Sequence, residues 1–110
     1  MIADWLNQDP KLAEIVRRLV DIFQPERIFL FGSKARGDET PDSDYDLLVI
    51  VPDDAPPERK RSELAYECLW GTGTAADVIV WTSSLFERKR SVITSLPATV
   101  LREGVLLYAA

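Results

Sequence analysis

The chain has 110 residues and a formal net charge of −5, with 46% hydrophobic and 28% charged residues. This length and composition are typical of one globular domain, which we expect to span residues 1–110. With no histidine and a single cysteine, Cys68, the sequence excludes histidine-based catalysis, an intramolecular disulfide and a Cys/His metal site. The acidic balance argues against extended nucleic-acid binding, which depends on Lys and Arg. Because we find no signal peptide and no membrane-spanning apolar run, we expect a cytoplasmic protein.

The elements of the N-terminal half are predicted from apolar spacing and from the residues that start or stop them. A helix begins after Asp9, a good N-cap, and stops at Pro25. The continuous LLVIV run of the second strand indicates burial on both faces of a sheet. In chain order, the predicted elements are a helix from Pro10, a strand over Arg27–Phe31, a short helix over residues 33–38, a polar loop over residues 39–43 and a strand over residues 44–51.

In the C-terminal half, helices and strands again alternate. Ser84 and Glu87 fit a capping box for one helix, and Pro97 and Gly104 bound the last one. The predicted elements are a helix over residues 58–70, a strand over 76–81, a helix from 84 towards 95, a short helix over 97–104 and a strand over 105–108. This order predicts an α/β or α+β domain, with a small mixed sheet of about four strands flanked by helices. The order of the strands within the sheet does not follow from spacing.

Two aspartates, Asp44 and Asp46, stand one residue apart at the start of the second strand. Alternate residues of a strand point to the same face, so both carboxylates project together while Tyr45 points to the other face. Neighbouring like charges repel each other unless a cation lies between them or one of them is protonated. Oxygen ligands at this spacing suit Mg²⁺, which also binds phosphate oxygens. Two solvated aspartates at the mouth of a strand would give the same pattern.

The Gly-Ser turn after the first strand favours an anion site. A strand that leads through Gly32 into a helix start exposes backbone N–H groups to an anion, and glycine allows a phosphate to come close. Ser33 adds a hydroxyl donor and Arg36 adds positive charge. An ordinary turn, with Arg36 in an ion pair with Asp38 or Asp42, is the alternative interpretation. Together, the turn and the two acids could hold the phosphates and the metal of a nucleotide.

The stretch GSKARG followed by SDYDLLV resembles the signature of the DNA polymerase β-like nucleotidyltransferases, and in particular of the minimal nucleotidyltransferase (MNT) proteins. The resemblance implies a third carboxylate on a later strand, for which Asp77 is the acid inside the apolar run ADVIVW. A solvated aspartate at a strand edge is the alternative. The resemblance further implies catalytic, metal-binding carboxylates that hold two Mg²⁺ ions, and nucleotide-binding residues. These are Asp44, Asp46 and Asp77 for catalysis and metal, and Gly32, Ser33 and Arg36 for the nucleotide.

The same resemblance implies an activity and a partner. The activity is the transfer of a nucleoside monophosphate, AMP from ATP, to a hydroxyl group, with Asp77 near the acceptor. MNT proteins of this size are similar to the antitoxin of a two-component module, whose partner is an all-helical HEPN ribonuclease toxin with a tyrosine as acceptor. Three alternatives remain: an antitoxin that binds nucleotide or caps the toxin without turnover, one subunit of an antibiotic nucleotidyltransferase, and an acidic metal-binding domain unrelated to nucleotides, for which the Gly-Ser turn would be a coincidence. Three carboxylates favour an enzyme, because a pure binder gains little from crowded negative charge.

Other polar and aromatic residues have ordinary explanations. The basic clusters at residues 59–61 and 88–90 are expected to be solvated helix faces. Lys34 is expected in solvent and Cys68 in the core. The aromatic residues expected in the core or an interface are Trp70, Trp81 and Tyr108.

Overall fold

The computed structural model describes residues 8–37, 44–73 and 75–110, so the predicted loop over residues 39–43 and the predicted helix end at residue 38 lie outside the described residues. Among the described residues, no helix is long and apolar enough to span a bilayer. The elements are α1 (Pro10–Phe23), β1 (Arg27–Phe31), α2 (Ser33–Arg36), β2 (Tyr45–Val51), a 3₁₀ helix (Pro57–Lys60), α3 (Glu63–Cys68), β3 (Ala76–Thr82), α4 (Ser83–Lys89), α5 (Leu96–Glu103) and β4 (Val105–Ala109).

The strands form one four-stranded mixed sheet in the order β3-β2-β1-β4. Strand β1 runs antiparallel to both β2 and β4, whereas β2 runs parallel to β3. The predicted small mixed sheet flanked by helices is therefore confirmed. Because β1 runs opposite to its neighbour β2, the end of β1 lies beside the start of β2, and the parallel strand β3 starts there too. The chain thus gathers the turn after β1 and the first residues of β2 and β3 at one end of the sheet.

The central strand β2 is covered on both faces, as its apolar run predicts. Residues 47–51 are all buried. One face packs against the apolar stripe of α1, which is formed by Leu12, Ile15, Val16, Leu19 and Phe23. On the other face, Leu48 and Ile50 pack with Phe86 of α4 and Val100 of α5. Two apolar layers therefore hold β2 in place, and its polar first residues stand at the end of a rigid strand.

Local signals explain where α1 and α5 begin and end. The Oδ1 atom of Asp9 accepts a 3.1 Å hydrogen bond from the backbone N–H of Leu12, as an N-cap does. Helix α1 ends at Gln24, which adopts a left-handed conformation with φ 47°. Ser95 caps α5 by accepting from the N–H of Ala98 at 3.2 Å. The predicted helix after Asp9 and the predicted last helix are both confirmed.

The single helix predicted over residues 58–70 is wrong. The chain instead forms the 3₁₀ helix, passes through Arg61 in an extended conformation with φ −107° and ψ 129°, and then forms α3. Only Ala65 and Leu69 in this stretch are buried. Residues 59–61 are all positively charged and place no apolar side chain in the core. A continuous helix over them would therefore lack the tertiary packing that stabilises most helices in proteins.

Two smaller predictions, both about α4, also differ from the structure. Thr82, not Ser84, caps α4, because its Oγ1 atom accepts from Leu85 N–H at 3.4 Å. The N–H of Ser84 donates instead to Oδ1 of Asp53 at 2.9 Å, and α4 ends well before residue 95, at Lys89. Of the two environments predicted for Trp70, a core or an interface, the structure excludes the core, since 87% of Trp70 is exposed. Trp81 and Tyr108 are partly buried, as is Cys68.

Candidate active site

The three predicted carboxylates lie at one end of the sheet. Asp46 is the register partner of Phe31, the last residue of β1, and of Asp77 in β3. Register partners in a parallel pair present their side chains to the same face, so Asp46 and Asp77 project side by side. Asp44 directly precedes β2. The backbone N–H of the next residue, Tyr45, donates to the carbonyl oxygen of Ala75 at 3.2 Å, and this hydrogen bond holds the start of β2 against β3. The sheet therefore brings together three acids that are far apart in sequence.

The Gly32 turn lies directly against the carboxylate of Asp46. Gly32 has φ 78° and ψ −159°, a conformation that other residues rarely adopt. A Cβ atom added to Gly32 would collide with Oδ2 of Asp46 and would lie only 3.1 Å from its Cγ atom. Glycine is required here for two separate reasons, the backbone conformation and the space that the carboxylate occupies.

Negative charge is concentrated around Asp46. This residue is partly buried, whereas Asp44 and Asp77 are exposed. Burial, followed by the nearby charges of Asp77 and Asp44, raises the pKa of Asp46, and the guanidinium of Arg36 offsets part of that increase. The ionised carboxylate is thus disfavoured in the folded protein, and a cation bound beside it would relieve this electrostatic cost.

The nucleotide-binding residues predicted from the sequence lie at the same end of the sheet. Ser33 is the first residue of α2, directly after Gly32, and the exposed Arg36 is the last. Within residues 8–37, 44–73 and 75–110, no three acidic or sulfur-bearing side chains already form a metal-binding cluster. The three acids share one end of the sheet without forming such a cluster among the described residues. The catalytic, metal-binding and nucleotide-binding roles of these six residues therefore remain predictions.

Sequence reasoning missed a set of contacts behind the acids. Tyr45 points away from them, as strand alternation predicts, and its hydroxyl donates to Oδ2 of Asp9 at 2.8 Å. The Nζ atom of Lys34 lies 4.5 Å from the centre of the Tyr45 ring, so the prediction that Lys34 is simply solvated is wrong. Alternation gives the direction of a side chain but not its partner. These contacts connect α1, α2 and β2 directly behind the site.

A pocket of about 480 Å³ opens beside the acids, on the β3 side. Asp44 and Asp77 form part of its wall. The rest of the described wall comes from the end of α3 and the segment leading to β3, namely Tyr66, Leu69, Trp70, Gly71, Thr72, Gly73, Ala75 and Ala76. The candidate active site therefore has a glycine turn on one side of Asp46 and a partly aromatic pocket beyond Asp77 on the other.

The sequence of this chain matches a known family. The sequence profile of the family described as "Nucleotidyltransferase domain" matches residues 10–106. The match covers most of the chain, so the protein belongs to the nucleotidyltransferase domain family. The predicted family and the predicted class of enzyme, a nucleotidyltransferase, are confirmed.

Individual relatives point in the same direction. The chain is 32% identical over 105 residues to a Methanocaldococcus jannaschii protein described as a candidate protein adenylyltransferase, with 94% of this chain and 100% of that one covered. A chain from a solved toxin–antitoxin complex with AMP-PNP is 26% identical with a TM-score of 0.62, over 89% of this chain and 73% of that one. A chain from the complex of the tri-AMPylated HEPN toxin of Shewanella oneidensis with its MNT antitoxin shares the fold, at 24% identity and a TM-score of 0.59, over 94% of this chain and 73% of that one.

Proposed function

We propose that this protein is a Mg²⁺-dependent adenylyltransferase of the cytoplasm. It transfers AMP from ATP to a tyrosine hydroxyl of a HEPN-type toxin and so acts as the antitoxin. The observation that carries the proposal is the position of Asp46, which packs against Gly32 on one side and is paired with Asp77 on the other. The relatives support the same reaction, because one is described as a candidate protein adenylyltransferase and another belongs to a toxin–antitoxin complex with AMP-PNP.

The donor set fits magnesium. Asp44, Asp46 and Asp77 supply carboxylate oxygens, which hard divalent cations prefer. Burial is the largest cause of the raised pKa of Asp46, and repulsion from Asp77 and Asp44 is the next largest. A bound cation would remove that repulsion. Bound Mg²⁺ would supply charge neutralisation for the triphosphate and a lower pKa for the acceptor hydroxyl. These three residues would hold the ions, with the exposed Asp44 and Asp77 adjusting towards Asp46.

The turn after β1 would bind the phosphates of ATP. Gly32 leaves no side chain in the way, so phosphate oxygens can approach the backbone beside Asp46. The Ser33 hydroxyl can donate a hydrogen bond to them. Arg36 lies near enough to act on the charge of Asp46 and can donate charge-assisted hydrogen bonds to a phosphate. The β- and γ-phosphates would therefore rest at the β1 side of the site.

The reaction forms one bond and breaks one bond. The acceptor oxygen attacks the α-phosphorus of ATP and a new O–P bond forms. The bond from the α-phosphorus to the bridging oxygen breaks, and pyrophosphate leaves with that electron pair. Asp77 lies on the β3 side and would accept the proton of the hydroxyl. Most of the rate enhancement would come from positioning and from charge stabilisation in the site, as in other phosphoryl transfers.

Label transfer to the partner tests this proposal. The protein is incubated with ATP labelled at the α-phosphate, Mg²⁺ and the toxin encoded beside it, and the toxin is analysed for bound AMP and for the modified residue. We expect labelled toxin with AMP on tyrosine, and we expect Asp46→Asn to reduce the rate by roughly 100-fold or more, the scale for one group that stabilises transition-state charge. Asp54→Asn is the matched control, since Asp54 is an exposed aspartate in the loop after β2, at the opposite end of that strand.

The same reactions distinguish catalysis from simple binding. Wild-type protein that neutralises the toxin without labelling it would refute the transferase and support a purely steric antitoxin. Undiminished labelling by Asp46→Asn would refute the assigned site while leaving the activity in place. Neutralisation by wild-type protein but not by Asp46→Asn, when both bind the toxin equally, would support antitoxin action through AMP transfer.

A further inference from the structure

The pocket on the β3 side contains the most exposed aromatic side chain among the described residues. Trp70 is 87% exposed and Tyr66 is 56% exposed. Together with Glu67 they also line an adjoining surface pocket. Contiguous exposed apolar patches mark interaction sites, and tryptophan and tyrosine are among the residues most enriched at binding hot spots. This aromatic wall begins at the catalytic acids, because Asp44 and Asp77 line the same pocket.

The backbone beneath this wall is held in place. The Nη1 atom of Arg18 in α1 donates to the carbonyl oxygens of Cys68 at 3.3 Å and of Trp70 at 3.2 Å. The hydroxyl of Thr72 donates to the carbonyl oxygen of Leu69 at 2.9 Å. Trp70 is thus an exposed side chain on a fixed backbone, an arrangement that reduces the entropy lost when a partner binds.

The direction of the chemistry determines which reactant this pocket receives. In phosphoryl transfer, the attacking and leaving oxygens lie roughly in line on opposite sides of the phosphorus. The pyrophosphate would leave towards Gly32 and Ser33, on the β1 side of Asp46. The sheet order β3-β2-β1 places Asp77 and the pocket on the other side of Asp46. The acceptor hydroxyl would therefore arrive from the pocket.

The chemistry of the pocket fits the same reactant. Its volume of about 480 Å³ is within the range of small-ligand pockets and exceeds what a single phenol side chain fills. The rings of Tyr66 and Trp70 can stack with another aromatic ring. The described lining contains acids and no Lys or Arg, so it suits a neutral or basic segment better than an acidic one.

We infer that Tyr66 and Trp70 form the docking site for the acceptor, a neutral or basic segment of a partner protein that carries an aromatic hydroxyl. This inference rests on the proposed transfer of AMP to a protein hydroxyl. The docked side chain presents its oxygen to the α-phosphate beside Asp77, which takes the proton as the O–P bond forms and pyrophosphate departs. Tyr66 and Trp70 select the acceptor and do not contact ATP.

Steady-state kinetics of AMP transfer tests this inference with the full chain, ATP and the toxin partner. Trp70→Ala and Tyr66→Ala should raise the KM for the toxin about tenfold or more, while the KM for ATP changes less than about twofold. Trp70→Phe should recover much of the loss because it keeps an aromatic face. Ile93→Ala is the matched control, since Ile93 is another large apolar residue, 77% exposed, and is absent from the described lining of this pocket. Both pocket variants should fold normally, as both side chains are exposed.

The outcomes separate this inference from the proposed function. A rise in the KM for ATP with an unchanged KM for the toxin would make the pocket a nucleobase site and overturn the inference. Unchanged kinetics would also overturn it, while labelled toxin would still support the transferase. If the wild-type protein does not label the toxin, the affinities of the wild type and of Trp70→Ala for the toxin are compared in the absence of ATP. Weaker binding by Trp70→Ala would then overturn the acceptor role and leave Tyr66 and Trp70 as a toxin-binding surface only, and unchanged binding would refute both the docking site and the transferase.

Discussion

The hydroxyl of Tyr45 donates a hydrogen bond to Oδ2 of Asp9, the residue whose Oδ1 atom caps helix α1. Tyr45 stands between two of the proposed catalytic aspartates in sequence, and its side chain is buried on the opposite face of the sheet. One carboxylate therefore fixes both the start of a core helix and the residue between the acids. This contact gives a structural reason for the aromatic residue in the D-Y-D sequence.

Loss of the Tyr45 hydroxyl should reduce the stability of the fold more than it reduces the rate of AMP transfer. Tyr45→Phe removes one partly buried hydrogen bond to a carboxylate, so the free energy of unfolding should fall by about 1 kcal/mol. Burial, followed by the bond to Asp9, raises the pKa of Tyr45 to about 12. Because this pKa is raised in the folded state, the stabilising contribution is present below the ordinary pKa of tyrosine, near 10, and is lost as the pH rises through about 12. Urea denaturation at pH 8 and above pH 10 measures both effects.

The control for this variant is Tyr108→Phe, which alters a partly buried tyrosine on β4. We expect it to change stability by much less than Tyr45→Phe at pH 8. Equal stability of the wild type and Tyr45→Phe would show that the bond to Asp9 contributes nothing.

A comparison of Gly32→Ala with Gly37→Ala separates the effect of backbone strain from the effect of a steric clash with Asp46. Both glycines have positive φ, 78° and 81°, but a Cβ atom on Gly32 would strike Asp46, whereas no described atom lies within 4 Å of a Cβ atom on Gly37. Gly37→Ala carries the strain of a left-handed residue, about 1 kcal/mol, and Gly32→Ala carries at least as much, roughly 1–3 kcal/mol, because its ψ of −159° lies in a region that only glycine adopts readily. Gly32→Ala must also displace the carboxylate, so it should lose roughly 100-fold in AMP transfer. Denaturation and label transfer, measured on both variants, check this; similar activities would mean that the contact with Asp46 is unimportant.

Asp46→Asn should make the metal-free protein more stable. The pKa of Asp46 is raised on folding, so the stability linked to this group is complete below the ordinary pKa of aspartate, near 4, and declines as the pH rises through the raised value. Asparagine cannot ionise and avoids this decline. In EDTA at pH 7 the melting temperature of Asp46→Asn should exceed that of the wild type by a few degrees, with the gap closing towards pH 3. Asp54→Asn, in an exposed loop, should leave the melting temperature almost unchanged; no gap at pH 7 for Asp46→Asn would refute the crowding of charge.

Arg36→Ala should weaken ATP binding. If Arg36 contacts a phosphate, its loss removes a charge-assisted hydrogen bond, and the KM for ATP should rise roughly tenfold, equivalent to about 1.4 kcal/mol. Arg59→Ala is the control, because Arg59 donates to Gln24 at 3.5 Å, well away from the acids. Initial rates over a range of ATP concentrations measure the effect. An unchanged KM would assign Arg36 a structural role, the alternative that its sequence context leaves open.

Much of the sheet could be predicted from the sequence because its signals are local. The apolar runs of β1 and β2 and the cap at Asp9 depend on neighbouring residues, and the structure has them where the pattern indicates. The strand order could not be predicted, since the pairing of β2 with β3 depends on contacts between distant segments. The break at Arg61 was missed because helical spacing is counted from apolar positions, and the run before it consists of charges.

In the candidate site, too, some features follow from local sequence and others depend on contacts between distant segments. The D-x-D spacing predicts that Asp44 and Asp46 project together, but only the register places Asp77 beside Asp46. The need for glycine at position 32 depends on the space taken by the Asp46 side chain, which no local pattern encodes. Trp70 was assigned to the core or an interface from its residue type alone, and its exposure next to the acids follows from the turn after α3.

The most direct test is to measure the binding of a non-hydrolysable ATP analogue by calorimetry, once in Mg²⁺ and once in EDTA. We predict that the wild type binds the analogue in Mg²⁺, that EDTA abolishes this binding, and that Asp46→Asn weakens it by roughly 30-fold or more, about 2 kcal/mol. Asp54→Asn should bind like the wild type. Equal binding with and without Mg²⁺, or full affinity in Asp46→Asn, would contradict a metal–nucleotide site built around Asp46.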